Sequence, residues 1–505
     1  MWGNITTKKR LFEENKKYWN QEEDIIQDEG YICIAHLMTF HLEFNMLLDI
    51  LAKGIQKKEK LPIFSFSVGE NALAFDEGDQ SFYIDGGYID IEGYKTGQRY
   101  EDRKEFLETC VENSYGRKDE ILKIKYRNIE CGDALWDMLI MFSETFDCTK
   151  VKKDIYISVL NTAFSMIDMA FDLFEIHTPR YLVMDECARL ESLIAGVAIY
   201  YGAKIVFPYL EWPDSSIFIK NNSTSMGGFF TQMMKQRFTQ DIQNGIENYK
   251  QNFIYQLPDE INSNFAQIPV HNGNKNVFIM LHCLDDSPRM ACTHEIYKDY
   301  TEWFLDTMEI IGRISDVNWI IRDHPHATGK KQREFVKKVY DKYKRKNIYW
   351  CEDNVKREQI ANVADVIITY VGDVGLEYWA LGIPTITLAE AYYVSFGISY
   401  CMKSREEYVS RLKYLDGIER PSEESIIIAR NILNQINFMC SPKDEIADLF
   451  TQIRYKELKG IKYERRDYDL YDYEFIVKYI KLLDKVRTSS CYLLTNCLEI
   501  EIIRG

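Results

Sequence analysis

Three features predict an α/β fold of two doubly wound, Rossmann-like domains facing a cleft. Apolar runs of strand length alternate with helix-period segments in two separate stretches, the pattern of parallel strands joined by crossover helices. Between those stretches, Leu257–Asn276 shifts to Pro, Asn, Asp, Gly and Gln without apolar periodicity, as a connector does. At 505 residues the chain also exceeds what one hydrophobic core usually supports. The expected division is residues 1–265 as an acceptor-side domain, 274–455 as a nucleotide-donor domain and 456–505 as a helical tail.

In the first domain YICIAH (Tyr31–His36) reads as a strand, Phe40–Ile55 as the helix after it and LPIFSFSV (Leu61–Val68) as the next strand. Residues 70–150 lose clear periodicity and are rich in Tyr, Gly, Asp and Glu, so an irregular insertion is expected there. Order resumes with a helix over Val159–Phe174, the strand RYLVMD (Arg180–Asp185), a helix over Cys187–Tyr201 and the strand KIVFP (Lys204–Pro208). The second domain opens with NVFIMLHC (Asn276–Cys283), followed by a helix in which Tyr300, Trp303, Phe304 and Ile311 share a face. Next come the strand VNWIIR (Val317–Arg322), a helix marked by Phe335, Val336, Val339, Tyr340 and Tyr343, and the strands Asn347–Trp350 and Ala364–Tyr370. A short helix from Val374 to Leu381 stops because Gly382 takes a left-handed cap and Pro384 cannot continue a helix. A further helix spans Arg405–Leu415, and the chain from Ile426 reads as largely helical.

Composition narrows the function classes. Hydrophobic residues make up 46% and charged ones 28%, too apolar for a disordered chain. A formal net charge of -16 opposes non-specific binding to nucleic acid, so none is expected as a partner. The twelve Cys are scattered, with no Cys-x-x-Cys pair and no Cys/His cluster at zinc spacing, which favours reduced thiols and predicts no metal ligands. The longest apolar run, Leu193–Tyr201, is too short for a bilayer span, and a cytoplasmic location is expected.

Ligands of an open parallel sheet collect beyond the carboxyl ends of its strands. Val317–Arg322 ends in Asp323, His324 and Pro325, and Ala364–Tyr370 runs into Gly372, Asp373 and Gly375. Glycines flanking Asp373 would let the following helix offer bare N–H groups to an anion, and Glu377 stays one turn from that seat. A tight strand-to-helix turn alone also explains both glycines, and the helix dipole alone explains a first-turn carboxylate. His282 ends the first strand of this domain, with Asp285, Asp286 and Arg289 after it on the same side of the sheet. Tyr392 and Tyr393 are expected to pack, as most tyrosines of a Tyr-rich chain do. In the first domain, Asp185 and Glu186 stand at one strand end and His36 borders another. Any of the three is placed to take the proton from an acceptor hydroxyl.

With VFIMLHCLDDSP, TEWFLDTMEI, NWIIRDHP and GDVGLEYWALGIPTITLAEAYYVSFGIS in that order, Asn276–Tyr400 resembles the capsule polysaccharide biosynthesis family of bacterial glycosyltransferases. These are Kdo- and sialyltransferase-like enzymes of the two-domain architecture called GT-B. The family's His-Pro pair falls on His324 and Pro325, and its Gly-x-x-Gly-x-Glu turn falls on Gly372, Gly375 and Glu377. The resemblance implies that the His-Pro strand end holds the donor phosphate and that the Glu sits by the ribose. Relatives often carry Ser or Thr after the first glycine, where this chain has Asp373. It further implies an inverting, metal-independent transfer from a nucleotide-activated donor, such as a CMP-linked acidic sugar, to a hydroxyl of a bacterial surface polysaccharide. The implied partners are a glycan or glycolipid acceptor and the capsule assembly machinery at the inner face of the membrane; no cofactor is implied. A CDP-glycerol-type polyol-phosphate transferase, a nucleotide-sugar epimerase and a non-catalytic glycan-assembly protein stay open as alternatives.

Overall fold

The computed structural model describes residues 29–37, 42–68, 86–89, 91–184, 188–208, 216–221, 273–292, 296–325, 330–439 and 498–502, with a few isolated residues besides. The fold is α/β, with two Rossmann-like sheets wound by helices. The first contains β1 (Tyr31–His36), β2 (Ile63–Val68), β3 (Gly86–Ile89), β4 (Pro179–Met184), β5 (Lys204–Pro208) and β6 (Ser216–Asn221). The second contains β7 (Lys275–Met280), β8 (Val317–Arg322), β9 (Ile348–Trp350), β10 (Val366–Thr369), β11 (Thr385–Thr387) and β12 (Tyr400–Cys401). β13 (Leu498–Ile502) returns to the first sheet and pairs with β6.

Both sheets follow the same spatial order. The second runs β9-β8-β7-β10-β11-β12 with every pair parallel. That is the strand order 3-2-1-4-5-6 of a dinucleotide-binding sheet, whose direction of winding reverses between strands one and four. The first runs β3-β2-β1-β4-β5-β6-β13, parallel except where β6 doubles back on β5. Each sheet therefore has a switch point, at β7/β10 in one and β1/β4 in the other.

Burial explains why the strands of the second sheet read as continuous apolar runs. Val277 and Ile279 of β7, Trp319 and Ile321 of β8, and Ile368 of β10 face one core. Phe278, Met280, Ile320 and Ile367 face another on the opposite side. Both faces are covered, so alternation disappears.

Residues 91–150 correct the expectation of an irregular insertion, while 69–85 lie outside the described residues. Between Ile91 and Phe142 the chain is mostly helical, including α1 (Gln98–Ser114) and α2 (Gly132–Phe142); α3 (Lys153–Ile176) follows. The periodicity of α1 is concealed because its buried face includes Arg103 beside Leu107 and Val111. Arg103 donates to Asp168 of α3 at 3.0 Å and also to Asn161, Ser165 and the Tyr94 carbonyl. Asp168 takes further bonds from the Tyr126 hydroxyl and Arg127. α3 is long and apolar enough to cross a membrane, yet most of it is buried in this core. The expected helical tail lies mostly outside the described residues; its described part, LEIEI, alternates at period two and forms β13.

α2 ties the halves together. Asp137, fully buried, accepts the backbone N–H of Arg289 at 2.9 Å and of Met290 at 3.1 Å, capping the single-turn helix Pro288–Ala291 from across the seam. Burial raises its carboxyl well above the usual range. Lys331 donates to the Met141 carbonyl, Lys118 pairs with Glu302 at 2.8 Å, and Phe146 meets Phe335 with ring centres 5.4 Å apart. A single apolar core runs through this seam from the first sheet to the second.

Candidate functional site

A cavity of about 940 Å³ opens at the switch point of the second sheet, beyond the ends of β7, β8 and β10. His282, Asp286, His324, Pro325, Gly372, Asp373 and Glu377 all line it. Seven residues singled out from the sequence thus share one site. Thr231, from the segment after β6, closes its rim by donating to the Ala291 carbonyl at 2.7 Å.

The strand ends are held by one side chain that the sequence does not advertise. Gln332, buried in the first turn of the helix Lys330–Tyr343, donates to the His282 carbonyl at 2.9 Å and to Asp323 at 2.7 Å, and its oxygen accepts from the Leu284 N–H. Asp323 also accepts the His324 N–H at 2.9 Å, and Arg333 approaches its other oxygen at 3.6 Å while pairing with Asp353. The two loops after β7 and β8 are therefore one hydrogen-bonded unit.

The two histidines sit in different surroundings. Nε2 of His282 accepts the Val371 N–H at 3.2 Å and lies 3.3 Å from the Thr369 hydroxyl, and the ring stacks on Tyr300. Burial, reinforced by neighbouring His324, pushes its pKa down to about 3, so the ring is neutral. His324 sits with Nδ1 3.1 Å from the Cys283 sulfur.

α4 (Asp373–Ala380) starts at the turn after β10. A Cβ on Gly372 would sit 3.0 Å from the Thr369 hydroxyl and 3.2 Å from the His282 ring, so a side chain there would have to push these neighbours aside by a few tenths of an ångström. Tyr393 donates to the Gly372 carbonyl at 2.7 Å and Tyr392 to Asp373 at 2.8 Å; both rings are buried, as packing predicts. Gly375 corrects the anion-seat expectation. It does not line the cavity, its N–H is bonded to the Gly372 carbonyl, and a Cβ there would strike the Tyr393 hydroxyl. Its glycine serves helix-to-loop packing.

Arg289 also departs from expectation. Its guanidinium binds Asp133 at 2.8 Å and the Lys298 carbonyl, making it part of the seam instead of the cavity lining. The cations that line the cavity are Arg322, Lys356 and Arg357. Arg357 is paired with Glu377 at 2.5 Å, and Arg322 reaches the Cys351 sulfur at 3.4 Å. Arg322 could have been found by reading one residue back from the strand end, and Lys356 and Arg357 by treating the loop after β9 as another carboxyl end. Six carboxylates against three cations line the site among the described residues, so an anionic ligand has to be met by particular groups and not by the average field.

In the first sheet, His36 ends β1, is 4% exposed and does not line this cavity. β4 lies beside it, with Ala35 opposite Met184, and Asp185 and Glu186 are the next residues in the sequence. Those two residues themselves lie outside the described ones.

No protein-family model matches the chain, and no curated protein sequence matches it. Solved structures do show similarity. A UDP-GlcNAc 2-epimerase from Neisseria meningitidis, bound to UDP-GlcNAc, is 11% identical over 81% of this chain and 99% of its own, with a TM-score of 0.24. The spinosyn rhamnosyltransferase SpnG is 11% identical over 84% of this chain and 100% of its own, with a TM-score of 0.27. KpsC from Thermosulfurimonas dismutans, a β-Kdo 2,7 transferase, is 12% identical over 52% of this chain and 79% of its own, with a TM-score of 0.29.

Proposed function

We propose that the chain is a glycosyltransferase that moves a sugar from a nucleotide-activated donor to a hydroxyl of a bacterial surface polysaccharide. The observation that carries this reading is the cavity at the β7/β10 switch point, where the winding of an all-parallel sheet leaves a crevice for a nucleotide. The nucleotide's phosphate lies against His324 with Arg322 and Lys356 nearby, and its ribose lies by Glu377. The resemblance of Asn276–Tyr400 to capsule glycosyltransferases points to a CMP-linked acidic sugar as donor.

In such a transfer negative charge grows on the departing phosphate as its bond to the anomeric carbon breaks. Hydrogen-bond donors aimed there lower the barrier more than they tighten the ground state. His282 does not serve this purpose through Nε2, which is already an acceptor. The acceptor hydroxyl is deprotonated by a base from the first domain, for which His36, Asp185 and Glu186 are the candidates. The seam between the halves favours a preformed site over a wide hinge closure, because a continuous apolar core resists relative domain motion.

The test is a thermal-shift panel of CMP, CDP, UDP and GDP on the wild type and on His324→Ala. One nucleotide is expected to raise the melting temperature, and the substitution to abolish the shift. If none of the four stabilises the wild type, the reading is wrong; an undiminished shift in the variant removes His324 from the phosphate.

A further inference from the structure

Cys283 and His324 stand at the ends of adjacent parallel strands, and both line the cavity. Their side chains meet at 3.1 Å between Sγ and Nδ1. This pairing is held by its backbone frame: the Cys283 carbonyl accepts from the Asp286 N–H, the Leu284 N–H is bonded to Gln332, and the His324 N–H is bonded to Asp323, which Gln332 also holds. The main chain that carries both side chains is therefore fixed on either side of the contact.

Which atom carries the hydrogen decides what the histidine can do. Burial and the carboxylates of Asp286, Asp285 and Asp323 push the Cys283 thiol up to about 12, so at neutral pH the sulfur keeps its proton. A neutral imidazole nitrogen is a good acceptor, whereas thiol sulfur is a poor one. The hydrogen in the contact accordingly belongs to sulfur, and Nδ1 receives it. A neutral ring with Nδ1 as acceptor has its own hydrogen on Nε2. His282 shows the opposite arrangement, since its Nε2 accepts the Val371 N–H and its ring hydrogen must be on Nδ1.

We propose that Cys283 is a positioning residue for His324: its thiol holds the imidazole in the Nε2–H tautomer and in one orientation, so that a hydrogen-bond donor faces an anionic ligand in the cavity. This deepens the nucleotide reading and rests on it for what the Nε2 hydrogen meets. The tautomer itself rests on the Cys283–His324 contact and on the sulfur keeping its proton. Serine in place of Cys283 keeps a donor for Nδ1, whereas alanine removes it.

The experiment uses the full chain labelled with ¹⁵N-histidine, with His324→Gln to assign the ring signals by subtraction. Long-range ¹H–¹⁵N spectra near neutral pH are expected to show an Nε2–H ring for His324 in the wild type and in Cys283→Ser, and a mixture of tautomers in Cys283→Ala. Affinity for whichever of CMP, CDP, UDP or GDP shifts the wild type most is expected to fall about three- to tenfold in Cys283→Ala, the size of one neutral hydrogen bond, and to return in Cys283→Ser. An Nδ1–H or doubly protonated ring in the wild type overturns the proposal, as does an unchanged tautomer in Cys283→Ala. A full tautomer response in a protein that binds none of the four nucleotides upholds the assignment to Cys283 and overturns the functional reading instead.

Discussion

Among single residues, His282 makes the sharpest statement about pH. Its ring pKa is about 3 in the folded chain, against an ordinary value near 6.5 once unfolded. Between those values the unfolded chain binds a proton that the folded chain refuses. The contribution to stability is thus complete above about pH 6.5 and drains away as pH falls towards 3, by up to about 1.4 kcal/mol per pH unit. Urea unfolding between pH 4 and 7 is expected to give His282→Gln a shallower acid slope than the wild type; identical slopes would mean that the ring is charged in the fold. From the sequence, His282 and His324 were both expected at the ends of neighbouring strands, with only His324 matching the family's His-Pro pair. Their location was legible because strand ends are, whereas their opposite tautomers depend on Val371 and Cys283, partners that only folding brings near. Gly375 shows the converse, for a glycine spaced for a phosphate turn proves to be spaced for Tyr393.

At the level of elements, the Arg103–Asp168 cluster joins α1 to α3 in an environment almost without solvent. Removing one partner strands the other as a buried charge. Asp168→Ala is therefore expected to lower the unfolding free energy by about 3–5 kcal/mol, measured by chemical denaturation. A loss under about 1 kcal/mol would show the pair to be solvated, as exposed ion pairs are. The same cluster explains why residues 91–142 defeated a reading by periodicity. A helix whose inward stripe contains an arginine looks solvent-facing until its aspartate is known, and that aspartate is 65 positions away. A helix whose buried face is mainly apolar, such as Tyr300–Ile311 with Trp303, Phe304, Met308 and Ile311, was legible at once.

For the whole molecule, parallel sheets were legible from their unbroken apolar strands, but strand order was not, because order depends on which crossovers pass over which face. The return of β13 to β6 was the least legible feature, being a pairing between residues 281 positions apart, such as Ile217 and Leu498. A chain ending at residue 497 is expected to lose roughly 1–5 kcal/mol, from five cross-strand pairs at about 0.2–1 kcal/mol each, while keeping its response to nucleotide. An unchanged melting temperature would show that β13 adds nothing to the sheet. This connectivity also bears on synthesis. The ribosome makes Leu498–Ile502 on the order of tens of seconds after β6 has emerged at typical elongation rates. Throughout that interval Ser216–Asn221 offers an unsatisfied ladder of amides, and holding other nascent chains away from it is work for a chaperone.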